Sequence, residues 1–89
     1  MAHSRQLTPA EKLIQRLMLE SAGNLACASF TKEEAKLLSD EDFVIENVFT
    51  GKRFVRTGLE KALRFMADRG FTNGDNPAHA DWYLYPLNS

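Results

Sequence analysis

Apolar positions along this chain recur at helical spacing, then at alternating spacing, then at helical spacing again. Leu13, Ile14, Leu17, Met18, Ser21, Leu25 and Ala28 keep a single 3.6-residue phase, which predicts an amphipathic helix. Thr8-Pro9-Ala10-Glu11 marks its start: threonine caps, proline suits the first helical position, and glutamate completes a capping box. Because the phase continues past Gly23, one helix to about Ser29 is expected. A break at Gly23-Asn24 is the alternative, since glycine just past a helix is the usual stop.

Thr31-Lys32-Glu33-Glu34 repeats the capping box, with Phe30 placed to staple against Ala35. A short second helix through about Leu38 follows, burying Ala35 and Leu38. Ser39-Asp40-Glu41-Asp42 lacks the alternating oxygen ligands, glycine and distal glutamate of a calcium loop. It reads as a solvated turn.

The period changes to two at Phe43-Val44-Ile45, and again at Phe54-Val55, both rich in strand formers. Thr50-Gly51-Lys52 supplies a turn between them. A three-residue loop closing on a glycine bulge pairs Val48 with Lys52 and Ile45 with Val55. Phe43, Ile45 and Val55 then share one face, and Val44, Glu46, Phe54 and Arg56 the other. A slip of one residue exchanges these faces.

Thr57-Gly58-Leu59-Glu60 reads as a third capping box. Leu59, Ala62, Leu63 and Met66 make the buried stripe of a third helix, and Gly70-Phe71 a Schellman-type stop. Glu60–Arg64 and Arg64–Asp68 have the spacing of helical ion pairs. Phe65 lies off the stripe, with Lys61 four residues before it and Arg69 four after. Beyond a turn-rich stretch at 72–77, Asp81-Trp82-Tyr83-Leu84-Tyr85 reads as a last strand stopped by Pro86. Alternation sets Trp82 and Leu84 on one face and Tyr83 and Tyr85 on the other. The expected fold is α+β, a single small domain ordered α1-α2-β1-β2-α3-β3. Its helices pack mainly on one face of a three-stranded, mainly antiparallel sheet.

Composition confines this picture without redirecting it. With 89 residues, 44% hydrophobic and 26% charged, the chain is an ordinary globular domain. It is expected to comprise residues 8–87 behind a loose N-terminal 1–7. With Met1 at its start and no linker at its end, a complete small gene product is expected. No apolar run approaches the ~18 residues of a membrane span, and the N-terminus lacks the apolar core of a signal peptide. One cysteine, Cys27, forms no internal disulfide, which fits a cytoplasmic protein. Ala22, Gly23, Ala26 and Cys27 are small residues on the expected first helix. They suit close contact with the chain's own second helix, or a seam for a second copy.

Charge adds an asymmetry that the net value of −1 hides. Residues 31–51 carry six carboxylates against Lys32 and Lys36. Residues 52–69 carry Lys52, Arg53, Arg56, Lys61, Arg64 and Arg69 against Glu60 and Asp68. Such a dipolar chain can orient a partner.

Candidate chemistry is thin. His79 and Asp81 supply two ligands with no further histidine or cysteine cluster, short of a closed metal site. Cys27 has no basic neighbour in sequence to activate it. No phosphate loop, nucleophile elbow or zinc-protease motif occurs, so neither catalytic residues nor a cofactor is expected. The reading is a non-enzymatic interaction domain, a regulator or inhibitor that binds a partner protein. Its surface is built from Lys52, Arg53, Arg56, Lys61, Arg64, Phe65 and Arg69, where arginine and aromatic residues anchor interfaces. An open edge of the sheet is a further place for a partner strand. The competing expectation is a nucleic-acid binder using the same face, with Phe65 stacking on bases between cations. A pI near 6.1 counts against it. In the plainest reading, Phe65 is the edge of the core and cation stems cover it.

Overall fold

The computed structural model describes residues 6–71 and 81–88. Most of the expected loose N-terminus, the turn-rich stretch at 72–77 and His79 lie outside the described residues. The elements are α1 (Pro9–Glu20), a single 3-10 turn (Leu25–Cys27), α2 (Lys32–Leu37) and β1 (Asp42–Asn47). They continue with β2 (Arg53–Thr57), α3 (Leu59–Arg69) and β3 (Trp82–Pro86). All strand pairs are antiparallel, in the order β2-β1-β3. The helices pack on one face of this sheet, so the expected α+β order is the one found. Leu17, Leu25, Leu38, Phe43, Ile45, Leu59 and Leu84 are fully buried between the two layers. No helix of the described residues is long and apolar enough to cross a membrane.

The first two capping boxes both form. Thr8 Oγ1 accepts from the Glu11 amide at 3.1 Å, and Thr31 Oγ1 from that of Glu34 at 3.1 Å. Glu34 has a second task, because its carboxylate also takes the Arg16 guanidinium and so ties α2 to α1. The Arg16 hydrogen bond, and after it the Thr31 backbone amide, hold the Glu34 carboxyl below its usual range. A carboxyl depressed in the folded state stabilises above its unfolded pKa, and that stability fades as pH falls through the folded value. In pH-dependent denaturation, wild type is expected to exceed Glu34→Gln in stability at neutral pH. The gap should close below the ordinary carboxylate range.

α1 stops at Glu20 and not near Ser29. Ala22 and Gly23 both adopt left-handed backbone, φ 54° and 86°, and the Gly23 amide reaches back to the Met18 carbonyl at 2.8 Å. Two such residues in succession turn the chain out of the helix. The apolar phase continued because the separate 3-10 turn delivers Leu25 to the core independently. Ala22, Gly23, Ala26 and Cys27 therefore share no helical stripe.

Asn24, which follows the break, is fully buried. Its Oδ1 accepts from the amides of Ala26 (3.1 Å) and Leu84 (3.0 Å), and its Nδ2 donates to the Trp82 carbonyl (3.2 Å). Leu84 and Trp82 lie on β3, so one amide side chain pairs with the outer edge of that strand as a fourth strand would.

The hairpin differs from expectation by one residue. Asn47 Oδ1 accepts from the amides of Phe49 and Thr50, both at 2.9 Å, and draws Val48 into the loop. Gly51, at φ 73°, then closes a loop of 48–51, and Asn47 pairs with Lys52 through a 2.9 Å bond. The register becomes Ile45 with Phe54 and Val44 with Val55. A loop longer by one exchanges the faces of β2. Phe54 and Arg56 thus join Phe43 and Ile45 beneath α3, and Val55 moves to the open face. Trp82 and Leu84 share the helical side and Tyr83 and Tyr85 the open side, as expected.

The third capping box does not form. The Thr57 hydroxyl donates across the strands to Asp42 Oδ1 at 2.5 Å, and Gly58 starts α3 without a side-chain cap. Gly58 has φ 93°, and a Cβ there would stand 3.1 Å from the Ser39 carbonyl oxygen. Only glycine fits. α3 ends as expected, with Gly70 left-handed and the Phe71 amide bonded to the Met66 carbonyl at 2.7 Å.

Candidate binding surface

The seven residues singled out in the sequence do not form one patch, because strand alternation divides them. Arg53 points to the open face of the sheet. There it donates to Glu46 Oε1 (3.2 Å) and to the Tyr85 hydroxyl (2.9 Å), while Tyr85 also donates to Glu46. This set spans all three strands, and Tyr85 first, then Glu46, favour the charged form of Arg53. Val44, on the same face, is only 2% exposed because its cross-strand partners Val55 and Tyr85 flank it. Arg53 is thereby structural in part.

Arg56 lies on the opposite face and meets α3. Its guanidinium carbon stands 4.1 Å from the centre of the Phe65 ring, and that of Arg69 stands 4.8 Å from it. Both distances suit cation–π attraction. Phe65 also packs against Phe54 (5.0 Å between centroids) and Phe71 (6.0 Å). Phe71 in turn stacks on Trp82 at 3.7 Å. Phe65 is thus the rim of an aromatic cluster with guanidiniums over it. The plainest sequence reading comes closest, with Arg56 in the place foreseen for Lys61.

Lys52, Arg56, Lys61, Arg64 and Arg69 make no ion pair among the described residues, whose pairs are Arg16–Glu20, Arg16–Glu34 and Arg53–Glu46. The helical pairs expected at Glu60–Arg64 and Arg64–Asp68 are not formed. The unpaired cations lie on β2, at its start and on the exposed side of α3. This leaves a flank of positive charge that forms no ion pair among the described residues.

The same flank carries an open strand edge. The Asn47–Lys52 bond and the Gly58 amide bond to the Glu41 carbonyl (2.8 Å) set the phase of the β1–β2 ladder. Antiparallel alternation then aims the N–H and C=O of Arg53, Val55 and Thr57 away from β1. None of these three amides has a partner among the described residues, and Val55 is 45% exposed. The Val55 carbonyl takes the Arg56 guanidinium at 2.6 Å. β3 is different: its Leu84 N–H and Trp82 C=O meet Asn24, and Pro86 has no N–H to offer. Among the described residues, Asn24 covers the middle of one edge and the other edge is open.

The chain matches no protein-family model, and no curated protein or solved structure is significantly similar to it.

Two other places complete the surface. An open groove is lined by Ile14, Met18, Leu19 and Pro86, with Glu11 and Glu41 on its rim. None of the candidate residues lines it, and Leu19 within it is 84% exposed. Among the described residues, no three of His, Cys, Asp and Glu are grouped to hold a metal. Cys27 is half-buried in the 3-10 turn. Asn24 is the residue that sequence reasoning missed, since its partners lie 58 and 60 positions away.

Proposed function

We propose that this is a non-enzymatic binding domain that holds a partner protein through the β2–α3 flank. The observation that carries this reading is the set of cations that form no ion pair among the described residues, Lys52, Arg56, Lys61, Arg64 and Arg69, beside a strand edge unpaired there. Unpaired surface charge of one sign steers and orients a partner of the opposite sign. Arginine beside exposed aromatic area is the composition that anchors interfaces. A domain of this kind acts by occupying the partner's surface, as a regulator or inhibitor does.

Lys61 and Arg64 are the residues to test, because neither supports the fold as Arg53 and Arg56 do. The double variant Lys61→Glu/Arg64→Glu is expected to remain folded and to lose at least tenfold in affinity-captured partner, with or without nuclease treatment. Undiminished capture by the folded variant contradicts the site. Capture that disappears on nuclease treatment of the wild type assigns the flank to nucleic acid instead.

A further inference from the structure

We infer that the partner segment is an acidic, extended strand that adds to the open edge of β2 and continues the sheet as a fourth strand. This rests on the protein-binding reading and specifies its ligand. Strand addition draws affinity from main-chain hydrogen bonds and specificity from alternate side chains. β2 offers the main-chain part, in the outward N–H and C=O groups of Arg53, Val55 and Thr57. The Val55 carbonyl is meanwhile held by the Arg56 guanidinium. An incoming N–H takes over that carbonyl, and the released guanidinium turns to the carboxylate that arrives beside it.

Alternation gives the incoming strand a pattern. A residue beside Val55 faces the open side of the sheet, next to a half-exposed valine, and is apolar or β-branched. Its two neighbours face the helical side, where Arg56, Lys61 and Arg69 have no ion pair among the described residues. Those neighbours are acidic. The segment therefore alternates Asp or Glu with Val, Ile or Thr. A second copy of this chain is the wrong occupant, because pairing β2 with β2 brings two sets of unpaired cations together. Positive charge along an edge strand is a device against self-pairing. The same charge admits an acidic strand.

The probe is the blocked heptapeptide Glu-Thr-Glu-Val-Glu-Thr-Glu, added to the full chain and followed by amide NMR. Two controls accompany it: the peptide with lysine for glutamate, and the acidic peptide N-methylated at the residues whose amides face β2. The expected result is a slowing of amide exchange at Val55 and Thr57 by tenfold or more with the acidic peptide alone. N-methylation should weaken binding at least tenfold. Val55→Pro removes the central outward N–H at a position where an edge strand tolerates proline. It should bind the acidic peptide at least tenfold more weakly while the remaining amide spectrum stays native-like.

Equal binding of the N-methylated peptide, unchanged exchange at Val55, or equal binding of the lysine peptide overturns strand addition. So does protection of the Val55 amide in a peptide-free dimer, or tighter binding of a single-stranded oligonucleotide. If Lys61→Glu/Arg64→Glu abolishes partner capture while the peptide leaves Val55 exchange unchanged, the protein-binding reading stands and only strand addition falls.

Discussion

Asn24→Ala is expected to lower stability by about 2–4 kcal/mol, the combined effect of leaving the buried Leu84 amide unsatisfied and withdrawing the donor from the part-buried Trp82 carbonyl. For a chain of this size, whose whole stability is roughly 4–13 kcal/mol, that is a large loss. Tm should fall by roughly 10–25 °C. Asn24 is fully buried and bonds both the Leu84 amide and the Trp82 carbonyl. Asn24→Asp separates hydrogen bonding from packing. Its second oxygen faces the Trp82 carbonyl and repels it when ionised, whereas the protonated carboxyl can donate as Nδ2 does. Burial and that carbonyl raise the introduced carboxyl's folded pKa, so the penalty relative to wild type is present at neutral pH. It should shrink as pH falls below that value, which denaturation at several pH values measures.

The second large effect concerns the hairpin register. Phe54→Asp places a carboxylate within the cluster of Phe65, Phe71 and Trp82. The expected loss is about 4 kcal/mol or more, the scale of removing a packed phenylalanine with a charge added. Val55→Asp, one residue along, alters the half-exposed open face and is expected to cost about 1 kcal/mol or less. With Val55 paired to Ile45, the two costs would be reversed. Denaturant unfolding of the two variants side by side reads the register without a new structure.

These two sites also show how far the sequence carries. The three helices and three strands were legible in their apolar period, and two helix starts in their capping boxes, because those signals are local. The register was not. It turns on Asn47, whose side chain binds two loop amides and lengthens the turn by one residue. An asparagine four positions before the loop glycine was the available signal. The end of α1 was obscured for a different reason: Leu25 and Ala28 kept helical phase while sitting beyond two left-handed residues. Asn24 had no local signal, since its partners on β3 come into reach only when the sheet has formed.

The candidate surface was half legible. The concentration of cations at 52–69 was visible, and five of the six form no ion pair among the described residues. What the sequence could not reveal is that alternation sends Arg53 and Arg56 to opposite faces. Nor could it reveal that Arg56 and Arg69 lie over Phe65. That ring now belongs to the core rim, and the interest moves to the strand edge beside it.

The central claim is that Asn24 holds one edge of the sheet, while the other is open among the described residues and lies beside cations with no ion pair there. Amide hydrogen exchange in the free monomer compares them directly, at Leu84 on β3 and Val55 on β2. The expected result is strong protection at Leu84, which Asn24 holds, and exchange at Val55 faster by tenfold or more. Equal protection at Val55 in the free chain would contradict an open edge, and with it the surface assigned to partner binding.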